Sequence, residues 1–141
     1  MTVCIMNLRE AENAIVEEFS MYEEWLDKYE YLIELGKSLK DYPDEAKTDD
    51  RLIKGCQSRV WLDYKVEAGK LIFNADSDAI ITKGIISLLI GLYSGRTPQE
   101  ILSSDFSVVE KIGLKENLSP TRANGLVSMI AKIREVANSN L

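Results

Sequence analysis

The longest apolar run in the chain, at residues 79–93, is the feature that most constrains its fold. The run is 15 residues long and contains a lysine, whereas a helix that crosses a membrane needs about 20 apolar residues. We therefore expect a helix that is buried in the core of a globular protein. Ser77 and Asp78, just before the run, can accept hydrogen bonds from the N–H groups of its first turn. Gly84 and Gly91 lie seven residues apart, which predicts one face packed closely against a neighbouring element.

The residues before this helix predict a β-hairpin. Residues 59–66 alternate partly between apolar and polar side chains, residues 67–70 have the composition of a turn, and residues 71–75 form the return strand. A short additional strand at about 51–54 is left open. A hairpin followed by a buried helix predicts an α+β fold, with a small antiparallel β-sheet packed against several α-helices.

Three N-cap residues predict where other helices begin. Asn7 and Thr97 are each followed by a glutamate three residues later, and Ser119 is followed directly by a proline. The predicted helices are 8–19, 22–36, 98–103, a helical turn or two within 106–112, and 120–137. The chain has no repeats, low-complexity tracts or linker, so residues 1–141 are predicted to form one domain.

The charge is distributed unevenly along the chain. Residues 8–50 carry 14 acidic and 5 basic side chains, whereas residues 51–141 carry 9 acidic and 12 basic ones. This weak basic excess is far from the footprint of a nucleic-acid-binding protein, and the acidic first half disfavours anionic membranes. The first twenty residues lack the apolar segment of a signal peptide, so we expect a cytoplasmic protein.

The chain contains no histidine, which removes several classes of active site. Ser-His-Asp hydrolases, Cys-His proteases and histidine-bound zinc sites are excluded. The two cysteines, Cys4 and Cys56, make neither a disulfide framework nor a metal cluster. Cys4 lies near the terminus and is expected to be incidental. Any cysteine chemistry must therefore rely on lysine, arginine, backbone N–H groups or a partner protein.

Cys56 lies at the junction between a loop and the first strand of the hairpin. Gly55 gives the backbone freedom at this turn. Lys54 and Arg59 flank the cysteine, and nearby cations favour the reactive thiolate. A reactive thiol in a basic setting and a buried structural cysteine are both compatible with this stretch. Arg122 is a cation in the first turn of the last helix, where the helix dipole favours anions. It therefore has either a specific role or an ordinary surface salt bridge.

Three separated segments resemble the SufE family of sulfur-acceptor proteins. They are GCQSRVWL at residues 55–62, ADSDA at 75–79 followed by Lys83-Gly84, and LSPTR at 118–122 followed by Gly125-Leu126. The segments come in the order in which the family has them. The resemblance covers nearly the whole chain and is weakest before residue 20.

The resemblance implies a role in iron–sulfur cluster assembly. Cys56 would attack the persulfide on a SufS- or CsdA-like cysteine desulfurase and pass the sulfur to a SufBCD-like cluster scaffold. Pyridoxal phosphate would belong to the desulfurase, so this chain would need no cofactor of its own. In this family the cysteine lies in a loop at the edge of the sheet, where it can bury its sulfur or extend towards the partner.

The resemblance also implies roles for individual residues. Arg122 would be the cation nearest the transfer site, with Lys54 and Arg59 as weaker candidates. Asp78 would hold the cysteine loop or face the partner, with a simple N-cap as the alternative. The residues expected to support the loop or bind the partner are Gly55, Gln57, Ser58, Arg59 and Asp78.

Two other functions fit the residues around Cys56. One is a thiol peroxidase or another redox enzyme, although the sequence offers no resolving cysteine nearby. The other is a regulator that binds a desulfurase without any chemistry at Cys56. The sequence does not choose between a monomer and a homodimer.

Overall fold

The computed structural model describes residues 7–39, 42–56, 58–114 and 118–141, and it has the predicted α+β fold. Two short 3-10 helices, Asp44–Ala46 and Asp49–Arg51, lie in the connection that precedes the hairpin. The strands and α-helices in chain order are α1 (Leu8–Ser20), α2 (Trp25–Lys37), β1 (Val60–Glu67), β2 (Lys70–Ser77), α3 (Ile80–Tyr93), α4 (Pro98–Ser103), α5 (Val108–Lys111) and α6 (Pro120–Ser139).

The predicted hairpin is present and its strands are antiparallel. The register runs from Val60 opposite Ser77 to Glu67 opposite Lys70. The return strand therefore continues two residues beyond the predicted end. The short strand left open at 51–54 is a single bridge between Leu52 and Trp61, next to a hydrogen bond from the Ile53 N–H to the Val60 carbonyl at 2.8 Å.

Helix α3 is the predicted core helix, and ten of its fourteen residues are buried. It packs against α1, α2, α6 and β2, so most of its circumference faces protein. This explains why its sequence is apolar on nearly every side. Within the described part of the chain, no helix combines the length and the hydrophobicity needed to cross a membrane.

The predicted cap of α3 is wrong for Asp78, whereas the Ser77 hydroxyl accepts a hydrogen bond from the Ala79 N–H just before the helix, over 3.3 Å. The helix begins at Ile80, and its N-cap residue, Ala79, offers no side-chain acceptor. The Asp78 carboxylate instead accepts a hydrogen bond from the Arg59 N–H, and the Ser77 hydroxyl donates to the Arg59 carbonyl. The hairpin brings Arg59 opposite these residues, so long-range pairing takes the Asp78 carboxylate that a local pattern assigns to the helix.

The other predicted caps are confirmed. Asn7 and Glu10 form a reciprocal capping box at α1, Thr97 accepts from the Glu100 N–H, and Ser119 accepts from the Arg122 N–H. Helix α2 begins three residues later than predicted, and Tyr22 lies in the connection between α1 and α2. From there its ring packs on Tyr31, with the ring centroids 5.6 Å apart.

Gly84 and Gly91 lie in different surroundings, although the sequence predicts close packing for both. A Cβ atom at Gly84 would overlap the carbonyl oxygen of Leu32 in α2. Gly36 of α2 lies at the same crossing, where a Cβ atom would be 3.1 Å from the Gly84 nitrogen. Gly91 is exposed and has free space where a Cβ atom would be. The close crossing of α2 and α3 therefore depends on Gly36 and Gly84, and the prediction for Gly91 is wrong.

We expect Gly84→Ala to destabilise the fold by about 2 kcal/mol or more, since overpacking at a rigid contact typically costs roughly 1–3 kcal/mol and here the contact is with backbone. Gly91→Ala in the same helix is the matched control. It should be neutral or stabilising by up to about 1 kcal/mol, because alanine has the higher helix propensity. Urea denaturation measures both. Equal stability of the two variants would contradict the close crossing.

Candidate functional site

The loop that carries Cys56 lies directly on helix α6. Gly55 has a φ of +94°, a conformation that strains residues with a side chain. A Cβ atom at this position would also overlap the hydroxyl oxygen of Ser128 in α6. The positive φ therefore favours glycine at position 55, and the loop lies directly against the Ser128 side chain.

The thiol of Cys56 points towards α6 one turn before this contact. It is half-buried, and its Sγ donates a hydrogen bond to the carbonyl of Gly125 over 3.6 Å. A Cβ atom at Gly125 would be 3.5 Å from that sulfur. The absence of a side chain at Gly125 therefore leaves room beside the sulfur, and the carbonyl favours the protonated thiol, since only the thiol has a hydrogen to donate.

Burial raises the pKa of the Cys56 thiol above its ordinary value. The expectation that Lys54 and Arg59 favour the thiolate is therefore wrong for this conformation. Both side chains are exposed. Lys54 lines a separate groove between the loop and α6, together with Lys132 and Glu135. Proximity in sequence does not bring either charge to bear on the sulfur.

A small cavity of about 70 Å³ adjoins the sulfur of Cys56. It lies between the cysteine loop, α3 and α6, and the charged residue that lines it is Arg122. Arg122, which lies 66 positions further along the chain and is exposed, therefore lines the same cavity as Cys56. The residues that line the cavity together with Cys56 are Ser58, Thr82, Ile85, Arg122, Gly125 and Met129.

Asp78 connects the end of β2 to the segment that follows the cysteine. Its Oδ1 accepts from the Arg59 N–H over 3.0 Å, and its own N–H donates to the Arg59 carbonyl over 3.2 Å. The Ser77 hydroxyl donates to the same carbonyl over 2.8 Å. These contacts fix the chain three residues after Cys56, and they favour loop support over an N-cap as the role of Asp78.

The structure brings together some of the predicted site residues and not others. Ser58 and Arg122 reach the cavity, whereas Arg59 is held through its backbone. Gln57 lies outside the described residues, as does Cys4. No group of three or more potential metal ligands occurs in the described ranges.

Three cavity residues, Thr82, Ile85 and Met129, were not predicted from the sequence. Thr82 is a hydroxyl-bearing residue within the apolar run, but the pattern does not indicate which side of the helix faces the cysteine. A break in apolar character on a core helix is the one signal that could have identified it.

Comparison with known proteins finds one family and several relatives that are similar to this chain. Residues 13–137 match the model of the family described as SufE, an Fe-S metabolism associated domain. An uncharacterized SufE-like protein of Rhizobium etli is 41% identical over 128 residues, covering 87% of this chain and 86% of that protein. A second one, from Rhizobium meliloti, is 39% identical over 132 residues, covering 90% and 94%.

The fold has a counterpart among solved structures. The solution structure of a hypothetical protein from Thermus thermophilus matches with a TM-score of 0.76. The match covers 92% of this chain and 95% of the other, at 20% sequence identity. At this identity the match supports the fold alone.

We expect Cys56 to be alkylated slowly by iodoacetamide at neutral pH, with an apparent pKa above that of the same thiol in the urea-unfolded chain. Burial disfavours the thiolate in the folded state, so the fold is more stable when Cys56 is protonated. This stability is fully present at low pH and is lost as the pH rises through the raised pKa. The rate is measured against pH by intact mass in a Cys4→Ser background. An apparent pKa equal to or below that of the unfolded chain would contradict this geometry.

Proposed function

Because the chain belongs to the SufE family, whose domain is associated with iron–sulfur metabolism, we propose that Cys56 accepts sulfur from the persulfide of a partner cysteine desulfurase. The observation that carries this proposal is the space around the sulfur. Cys56 packs against the hydrophobic core, as a structural cysteine does, but it also lines a cavity that is lined by the cation Arg122.

The proposed reaction is an exchange between a thiol and a persulfide. The Cys56 thiolate attacks the terminal sulfur of the partner's persulfide, a new S–S bond forms at Cys56, and the partner's S–S bond breaks. The partner's cysteine leaves as a thiolate, so no external oxidant or reductant is needed. Cys56 then carries the sulfur as its own persulfide and passes it to a cluster scaffold in the cytoplasm. The pyridoxal phosphate of the overall reaction belongs to the desulfurase.

The resting contacts of Cys56 imply that the partner must change them. The thiol donates to the Gly125 carbonyl, and burial raises its pKa. The attacking group is the thiolate, so Cys56 becomes more reactive when it leaves this position. Binding of the desulfurase would release the loop, and the loaded loop would return its persulfide to the cavity. Arg122 would then pair with the negative charge of the terminal sulfur.

The geometry favours sulfur acceptance over peroxidase chemistry. A peroxidase needs a thiolate in its resting state, and burial of Cys56 disfavours the thiolate. Within the described part of the chain Cys56 is the free cysteine, with no second thiol to resolve a sulfenic acid. An acceptor that is inactive until its partner binds needs neither a thiolate at rest nor a resolving thiol.

We expect the wild-type protein to gain roughly 32 Da, the mass of one sulfur atom transferred by exchange, when it is incubated with a cysteine desulfurase, pyridoxal phosphate and L-cysteine. The gain should disappear on reduction and should be absent in Cys56→Ser, which replaces the nucleophile. Intact-protein mass spectrometry measures it. Stimulation of the desulfurase that persists in Cys56→Ser would contradict the proposal and support a regulator without cysteine chemistry.

We expect Arg122→Gln to lower the rate of sulfur uptake by roughly fivefold, because an exposed ion pair is worth at most about 1 kcal/mol. The control is Lys132→Gln, which removes a partly exposed cation from the same helix at its ion pair with Glu135. The mass assay sampled over time gives both rates. Equal rates for the two variants would show that Arg122 does not act on the transferred sulfur.

A further inference from the structure

Thr82 differs from the other buried polar side chains of the protein. Ser77, Ser87, Arg96 and Thr82 are each 7–8% exposed. The Ser77 and Ser87 hydroxyls donate to the carbonyls of Arg59 and Leu35, and the Arg96 side chain donates to Leu92. The Thr82 hydroxyl makes no hydrogen bond with any residue that the structure describes.

The Thr82 hydroxyl faces open space. In the described ranges, no fully enclosed side-chain nitrogen or oxygen lacks a hydrogen-bond partner. The Thr82 hydroxyl is therefore not fully enclosed by protein atoms. Thr82 lines the cavity that Cys56 also lines. A donor in that position is available to a group that enters the cavity.

We propose that the Thr82 hydroxyl donates a hydrogen bond to the terminal sulfur of a persulfide on Cys56. This inference rests on the proposed function, in which Cys56 carries that persulfide. Thr82 is then a sulfur-binding residue, and it acts on the loaded form of the protein.

The cavity is large enough to hold an added sulfur atom, and its lining offers polar groups to it. Its volume is about 70 Å³, whereas a water molecule, which is comparable in size to a sulfur atom, needs roughly 10–15 Å³ of such space. Arg122 from α6 supplies positive charge, and Thr82 from α3 supplies a directional donor. Hydrogen bonds to an ionised acceptor are stronger than those between neutral groups. Ile85 and Met129 supply the apolar side chains of the lining.

Two substitutions separate the hydroxyl of Thr82 from its packing. Thr82→Val keeps the shape and removes the donor, whereas Thr82→Ser keeps the donor and removes a methyl group. Both are made in a Cys4→Ser background, so that sulfur can be carried only at Cys56. Urea denaturation establishes that each variant is folded, and Thr82→Ala replaces Thr82→Val if the latter does not fold.

The persulfide is prepared without a desulfurase. Cys56 is first converted to a mixed disulfide with thionitrobenzoate, and hydrosulfide then attacks the Cys56 sulfur. The products are the Cys56 persulfide and free thionitrobenzoate, so atoms and electrons balance. The loaded protein is exposed to a limiting concentration of glutathione, and loss of one sulfur atom is followed by intact mass.

We expect the persulfide to decay roughly tenfold faster in Thr82→Val than in the parent protein. This is the factor that corresponds to losing one hydrogen bond to a charged group. Thr82→Ser should decay at nearly the parent rate. Equal decay of Thr82→Val and the parent would overturn the inference. So would a Thr82→Ser variant as labile as Thr82→Val, because packing and not the hydroxyl would then be responsible.

Desulfurase-driven loading of the parent protein, measured in parallel, distinguishes the two proposals. If the desulfurase loads the parent and chemically loaded persulfide is equally labile in all variants, the role of Thr82 is overturned and the proposed function stands. If the desulfurase does not load the parent, the proposed function is overturned. Hydroxyl-dependent persulfide lifetime would then still support Thr82 as a sulfur-binding residue.

Discussion

The contact between the cysteine loop and helix α6 is the constraint on which the rest of the site depends. Gly55 lies directly against the Ser128 side chain, and one turn away the Cys56 thiol donates to the Gly125 carbonyl. This contact half-buries the sulfur and raises the pKa of the thiol. It also closes one wall of the cavity. The position of the sulfur, its protonation state and the space beside it therefore have a single structural origin.

Helix α3 supplies the opposite wall of the cavity, and its packing against neighbouring elements fixes its orientation. Its crossing with α2 is fixed by Gly84 against Leu32, which sets the rotation of the helix about its axis. That rotation directs Thr82 and Ile85 towards the cysteine. The end of β2 holds the other side of the loop, where Asp78 binds the Arg59 backbone. The loop is thus anchored after the cysteine and rests on α6 before it.

This arrangement suits a carrier better than an enzyme that turns over alone. The resting thiol is protonated and half-buried, which makes it a poor nucleophile until something moves the loop. The same cavity that keeps the thiol inactive has room and polar groups for a sulfur atom once one has been added. In our proposal the partner desulfurase provides the missing step, so uptake of sulfur is coupled to complex formation and the loaded sulfur is held away from solvent. Membership of the SufE family is consistent with this division of labour.

The sequence by itself determined those features that depend on neighbouring residues. The caps at Asn7, Thr97 and Ser119 follow from side chains within three residues of the groups they bind, and the buried helix follows from an apolar run. The motif around Cys56 also identified the family. Only the tertiary structure decided the pKa of Cys56, the partner of Asp78 and the direction of Thr82. Each of these depends on atoms far along the chain: α6 desolvates the thiol, the hairpin brings the Arg59 backbone to Asp78, and the α2 crossing fixes the rotation of α3.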